Sequence, residues 1–171
     1  MAFAFRRVVT GHDEQGLAVV KADEVVTSQP RRPGYDAVVA WCTDSLPVNN
    51  NEDVYSAGRP GPKGSRVLLR VGEMQPGHSA PVMHRTETLD YAIIVSGEME
   101  MLLDSGEVVR HLRAGDIVVQ RGTNHAWRAV GHEVVKVLFV LIDAEPASVA
   151  GRQLGDFLDN FGPGVTPMPS A

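Results

Sequence analysis

The sequence has a single cysteine, no long apolar run and no excess of positive charge. Because Cys42 is that one cysteine, an internal disulfide is impossible and a reducing compartment is expected. No segment reaches the ~20 apolar residues of a membrane span, and the stretch MAFAFRRVV lacks the apolar core of a signal peptide. The formal net charge of −5 disfavours nucleic acid and acidic membranes as partners. These absences predict a cytoplasmic protein without nucleic-acid or membrane partners.

Several catalytic signatures are also missing from the chain. It contains no glycine-rich phosphate loop, no Gly-x-Ser-x-Gly elbow and no Cys-x-x-Cys pair. A chain of 171 residues fits one domain. At this size folding buries roughly 70% of the unfolded chain's surface, so neither a disulfide nor a metal is needed to hold a core.

The chain from residue 90 to residue 141 alternates short β-type segments with glycine-centred turns. Six such segments at close, even spacing predict an antiparallel sandwich or barrel. Both alternating faces of the last segment are largely apolar, with Lys136 as the exception, so it is predicted to be a central strand. The six are Tyr91–Val95, Met99–Leu103, Val108–Leu112, Ile117–Gln120, Ala126–Val130 and Val134–Leu141.

The domain is predicted to begin with an N-terminal arm and hairpin over residues 1–36. Within it, Arg6–Thr10 and Leu17–Lys21 are β-type runs separated by a turn-rich stretch. Residues 28–34 are predicted to be a loop, because two prolines and a glycine disfavour regular pairing. The β-barrel itself is predicted to span residues 37–146.

The segment Asp44–Pro62 is long, polar and irregular in pattern. A loop of this length in a compact domain is either functional or mobile. Folding over the mouth of a pocket and serving as an ordinary surface loop both remain open from the sequence.

The end of the chain is predicted to contain the protein's one α-helix, over residues 147–161. Four apolar side chains at helical spacing form a single stripe there, although Gly151 and Gly155 weaken the helix. Residues 162–171 are predicted to be a disordered tail. The apolar stripe consists of Leu154, Phe157, Leu158 and Phe161.

Two histidines, His84 and His125, are the candidate metal ligands. Residues two apart on a strand share a face, so an inward His84 places Thr86 inward, and an inward His125 does the same for Trp127. Two imidazoles and one carboxylate, from Asp90, would match the facial arrangement used for Fe(II), or a zinc site with one water. The alternatives are histidines satisfied within the core and an Asp90 that accepts hydrogen bonds from a nearby loop.

The stretch from Gly77 to Trp127 resembles the two sequence motifs of the cupin superfamily, small β-barrels of jelly-roll topology. When the first motif is anchored on Gly97, His84 occupies its first histidine position and Asp90 its glutamate position. Thr86 stands where the motif has a second histidine. In the second motif, His125 matches the metal-binding histidine. The resemblance implies an all-β antiparallel jelly-roll barrel, a double-stranded β-helix, followed here by the short C-terminal helix.

The resemblance also implies a divalent metal ion and a small-molecule pocket. The metal is zinc, iron, manganese or nickel, which the sequence does not distinguish. Thr86 is predicted to hydrogen-bond a metal-bound water, and Gln120 to bind an anionic or carbonyl group. Trp127 is either a pocket wall or core. His78 is a possible replacement for the missing ligand, with a surface position preferred. The predicted metal ligands are His84, Asp90 and His125, and the predicted pocket residues are Thr86, Gln120 and Trp127.

The function predicted from these features is a metal-dependent enzyme that acts on a small organic molecule. An apolar lining favours polyketide-like or aromatic carbonyl substrates, while dioxygenase, cyclase, isomerase, lyase and decarboxylase chemistry all stay open. The alternative is a non-enzymatic binding module whose metal site has degenerated. Exposed edge strands and a detachable arm predict a homodimer.

Overall fold

The computed structural model describes residues 2–43, 45–50, 66–78, 81–155 and 157–158. Within these ranges the regular structure is entirely β. The same ranges contain no helix that could span a membrane. The strands are β1 (Ala4–His12), β2 (Ala18–Thr27), β3 (Gln29–Arg32), β4 (Tyr35–Thr43), β5 (Val67–Met74), β6 (His84–Arg85), β7 (Thr88–Ser96), β8 (Glu98–Leu103), β9 (Val108–Arg113), β10 (Ile117–Arg121), β11 (His125–Val130), β12 (Val135–Asp143), β13 (Ser148–Val149), β14 (Arg152–Gln153) and β15 (Phe157–Leu158).

Two antiparallel sheets enclose the core. One has the strand order β10-β7-β12-β5-β4-β3 and the other β15-β6-β11-β8-β9. Side chains alternate between the two faces of each strand, and the inward ones form one large cluster and a smaller one around Cys42. In the large cluster, Ile94 and Val137 from the first sheet pack with Met99 and Trp127 from the second. The predicted all-β antiparallel fold is confirmed, and β12 is central, between β7 and β5.

The N-terminal hairpin of β1 and β2 lies against the outer face of the larger sheet. Phe3 and Val26 pack with Val38 of β4. The Arg7 guanidinium donates a hydrogen bond to the Ala40 carbonyl at 2.7 Å. An apolar contact and a buried cation thus attach the hairpin to the barrel.

The segment predicted to be a loop at residues 28–34 contains strand β3, so that prediction was wrong in part. β3 pairs with β4 and is the edge of the six-stranded sheet. Proline is tolerated in an edge strand because one side of the strand needs no backbone donor. Pro30 therefore does not prevent the pairing.

The predicted helix over residues 147–161 was wrong for the part of it that the structure describes. β13 and β14 form a two-stranded sheet around Ala150 and Gly151, which have φ values of 50° and 76°. Positive φ at two successive residues is the geometry of a tight hairpin turn and is incompatible with a helix. β15 then pairs with β6. The end of the segment therefore adds a strand to the edge of β6, where the apolar spacing had predicted a helix. The predicted tail, residues 162–171, lies outside the described residues, as does most of the Asp44–Pro62 loop.

Candidate functional site

His84 and His125 lie side by side within the barrel. They are direct partners in the antiparallel pairing of β6 with β11. Their ring centroids are 4.3 Å apart, and the planes are tilted by 51°. Strand pairing therefore unites two histidines that are far apart in the sequence.

Both rings are held in the same way by the backbone. Nδ1 of His84 lies 2.9 Å from the Val82 carbonyl oxygen, and Nδ1 of His125 lies 2.9 Å from that of Thr123. Because a carbonyl oxygen only accepts, each Nδ1 carries the proton and each Nε2 is left with a lone pair. The hydrogen bonds thus select the tautomer in which Nε2 can bind a metal ion or accept a proton.

Burial keeps this histidine pair neutral. Desolvation, with help from the neighbouring His84, lowers the pKa of His125 to about 4. The pKa of His84 is lowered as well, first by burial and then by the positive charges of Arg32 and Arg70. At neutral pH both imidazoles are therefore uncharged, with Nε2 unprotonated.

Asp90 and Gln120 form a second buried polar pair, across β7 and β10. Their exposed fractions are only 7% and 3%. The Asp90 Oδ1 atom and both amide atoms of Gln120 have no hydrogen-bond partner in the part of the chain that the structure describes. Buried polar atoms are seldom left unpaired, so this pair is a candidate position for binding a ligand or water.

The protonation of Asp90 is set mainly by burial, which raises its pKa to about 6. The Thr88 hydroxyl opposes this by stabilising the carboxylate. Thr88 in turn shares a hydrogen bond of 2.7 Å with the hydroxyl of Thr86. Thr86, predicted to lie in the pocket, is thus linked to Asp90 through one intervening threonine.

The predicted third metal ligand is not assembled with the other two. Among the described residues, no three side chains of the types His, Cys, Asp and Glu converge closely enough to hold a metal ion. An aspartate is one methylene shorter than the glutamate of the motif, and Thr86 stands at the second histidine position. His78 is exposed, with its Nδ1 2.8 Å from the Pro76 carbonyl oxygen.

Trp127 joins the site to the core. Its ring meets His125 edge-on, with centroids 5.6 Å apart, and lies 5.8 Å from that of Phe139. The side chain is buried in the main core cluster. Trp127 is therefore part of the core and lies next to His125, and its role as a pocket wall stays a prediction.

Sequence reasoning missed two arginines, Arg32 and Arg70. Arg70 shares the inward alternation of β5 with Leu68 and Gly72, and its charge acts on both His84 and Asp90. An arginine on the apolar face of the strand VLLRV could have been recognised in the sequence as a candidate site residue. Arg32 lay in a segment predicted to be a loop, so no periodicity pointed to it.

Comparison with known proteins places this site in a family. A model of the cupin domain matches residues 70–141. Phomopsin biosynthesis cluster protein C' of Diaporthe leptostromiformis is 34% identical over 163 residues, which cover 87% of this chain and 84% of that protein. The cupin-domain-containing oxidoreductase fogC of Aspergillus ruber is 33% identical over 163 residues, covering 89% of this chain and 79% of its own length.

A solved structure agrees with the fold. The cupin domain of Schizosaccharomyces pombe Cnp3 superposes with a TM-score of 0.52, covering 81% of this chain and 87% of that one. Its sequence identity of 13% limits this likeness to the architecture. The family model and the relatives of 33% and 34% identity establish that this jelly-roll chain belongs to the cupin superfamily.

Proposed function

We propose that this cupin is an enzyme that acts on a small organic molecule, with a divalent metal ion held by His84 and His125. The observation that carries the proposal is the adjacent pair of neutral imidazoles, each fixed through Nδ1 with Nε2 unprotonated. The names of the relatives, an oxidoreductase and a biosynthesis cluster protein, support an enzyme of unspecified reaction.

The donor set fits a transition metal ion. Neutral imidazole nitrogens suit zinc, iron and nickel, and hydrogen bonds from Nδ1 to carbonyl oxygens are typical outer partners of metal-bound histidines. A bound ion would polarise a carbonyl or enolate oxygen, or activate water or dioxygen. Asp90 as third ligand stays a prediction. With a pKa of about 6, its carboxyl group can also hold or release a proton near neutral pH.

The surroundings of the histidines suit an aromatic or polyketide-like carbonyl compound. The rings of His125, Trp127 and Phe139 are in successive contact and offer flat apolar surface. The buried Gln120 amide, with both polar atoms unpaired among the described residues, can bind a carbonyl oxygen or a hydroxyl group. Dioxygenase, cyclase, isomerase, lyase and decarboxylase reactions all fall within this proposal.

Metal content tests the proposal. Protein purified without a metal-affinity tag is expected to contain near-stoichiometric zinc, iron, manganese or nickel by plasma mass spectrometry. The double variant His84→Ala, His125→Ala is expected to contain almost none. The matched control is His12→Ala, His132→Ala, which removes two exposed histidines and should keep the metal. A metal-free wild type, or a double variant with wild-type content, would refute metal binding at this pair.

A metal-free binding barrel is the second candidate function. It is favoured by Thr86 at the second histidine position and by the missing three-ligand cluster among the described residues. In that case the barrel captures its ligand through Gln120, Asp90 and the aromatic wall. Wild-type protein without metal, but with saturable binding of an aromatic carbonyl compound, would favour this candidate.

We also propose a homodimer. Ile117 and Val119 on β10, an edge strand, are 62% and 54% exposed, and apolar side chains on an edge strand favour pairing with a second chain. Sedimentation equilibrium should give twice the chain mass of 18.5 kDa. The variant Ile117→Asp, Val119→Asp should sediment as one chain, whereas Val25→Asp on the hairpin should not change the mass. A wild type that sediments as a single chain at micromolar concentration contradicts the proposal.

A further inference from the structure

We infer that the pocket beside the histidine pair binds a carboxylate group, and that Arg32 is the residue that recognises it. The inference rests on the proposed function, because it names the substrate class of the same site: an apolar or aromatic molecule that carries a carboxylate.

Arg32 is a partly buried cation for which the described residues provide no counter-charge. Its Nε atom is buried and has no hydrogen-bond partner in the part of the chain that the structure describes. Among the same residues no carboxylate forms a salt bridge with Arg32, whereas Arg110 and Arg128 both pair with Glu100. A desolvated charge is costly unless it is paired. An anionic ligand would supply the missing partner.

The guanidinium of Arg32 is connected to the histidine site through aromatic contacts. It lies over the ring of Tyr35, which packs against the core cluster that contains Trp127, and the Trp127 ring contacts His125.

The positive charge of Arg32, like that of Arg70, lowers the pKa of His84. Arg70 points inward from β5 and also favours the charged form of Asp90. Two positive charges thus act on the same interior region. Positive charge in this region favours an anionic ligand.

Neighbouring residues support the Arg32 side chain. Its guanidinium carbon lies 5.2 Å from the centroid of the Tyr35 ring, its partner in the pairing of β3 with β4. The Tyr35 ring in turn lies against Gly72, where an added Cβ would be 2.8 Å from Cε2 and 3.0 Å from the hydroxyl oxygen. Gly72 therefore leaves the space that the ring needs, and the ring supports the guanidinium.

The chemistry of the pocket favours a carboxylate over a phosphate. A guanidinium presents parallel donors in one plane, which match the two oxygens of a planar carboxylate. The core cluster against which Tyr35 packs includes Trp127 and Phe139, so the nearby surface is aromatic and apolar. Such a wall suits the body of an aromatic acid better than a multiply charged, strongly hydrated phosphate ester.

Calorimetric titration of the full chain with benzoate and benzamide tests the inference. The two probes have nearly the same shape and differ in charge. The wild type is expected to bind benzoate roughly 10- to 100-fold more tightly than benzamide, as for a charged hydrogen-bonded pair. Arg32→Gln should lose this preference. Arg32→Lys should keep part of this preference, because the positive charge remains but the parallel donors of the guanidinium are lost. Arg31→Gln, which removes the same charge one residue away, should bind benzoate like the wild type.

The same titrations on chelator-treated protein separate this inference from the metal proposal. A benzoate preference that survives chelation and disappears in Arg32→Gln supports the carboxylate site, even if the metal proposal fails. The inference is overturned if chelated wild type binds both probes equally or neither at millimolar concentration. Benzoate binding by Arg32→Gln at wild-type strength overturns it too. The benzoate–benzamide comparison needs only the wild type, so a variant that misfolds leaves the test intact.

Discussion

Replacement of Asp90 with asparagine is expected to raise the free energy of unfolding of the metal-free protein by about 1–3 kcal/mol at pH 8. Burial raises the pKa of Asp90 to about 6 in the folded protein, from 3.8 in the unfolded chain. Above pH 6 the folded protein carries a buried carboxylate that the unfolded chain would hold in water. This cost falls as the pH is lowered from 6 to 3.8, because the folded state then gains its proton first. The advantage of asparagine should therefore vanish below about pH 4.

His125 has the opposite dependence over nearly the same range. Its pKa is about 4 when folded and 6.5 when free, so the unfolded chain binds the proton first as the pH falls. Its neutral form stabilises the fold above pH 6.5, and that contribution is lost between pH 6.5 and 4. In the wild type the effects of Asp90 and His125 oppose each other. Asp90→Asn should therefore expose a loss of about 3 kcal/mol between pH 6.5 and 4.

Urea unfolding at intervals of pH, in the presence of a chelator, measures both effects. The control is Asp104→Asn, which removes a carboxylate from an exposed turn and should leave the pH profile unchanged. Parallel profiles for Asp90→Asn and the wild type from pH 4 to pH 8 would show that Asp90 ionises normally in the folded protein.

Replacement of Gly97 with alanine is expected to cost about 2–4 kcal/mol of stability. Gly97 has a φ of 75°, in the left-handed region that favours glycine. An added Cβ would also lie 2.9 Å from both the Val134 carbonyl oxygen and the Val135 Cα atom. These are backbone atoms at the start of β12, so they cannot rotate away as a side chain would.

Gly106→Ala is the matched control for Gly97→Ala. Gly106 has a similar φ of 86°, but an added Cβ there would meet nothing within 4 Å. Its cost should be limited to the backbone strain, about 1 kcal/mol. The difference between the two urea midpoints then isolates the contact with β12. Equal losses in the two variants would mean that β12 moves aside at no cost.

Local pattern alone was sufficient for the strands from β7 to β12. The segments from Tyr91 to Leu141 combine alternating apolar residues with glycine-centred turns, and their pairing needs only short connections. The same use of local pattern gave a wrong prediction of a helix for the described part of residues 147–161. Their apolar spacing fits a helix, but Ala150 and Gly151 turn the chain, and β6 offers an unpaired edge to β15. The sequence of residues 147–161 alone cannot show that the edge of a strand distant in the sequence is available to pair with them.

The candidate site also has features that the sequence predicted and features that only the tertiary structure decided. Motif spacing in the sequence by itself determined His84, Asp90 and His125 as the polar residues directed inward from a cupin barrel. Tertiary structure alone decided that the two histidines are direct strand partners and that Asp90 is the strand partner of Gln120. It also allowed the charge of Arg32, on one sheet, to act on His84, on the other. The physical reason is that spacing along a strand specifies which face a side chain occupies. Only the pairing and packing of distant strands specify which side chains meet across the barrel.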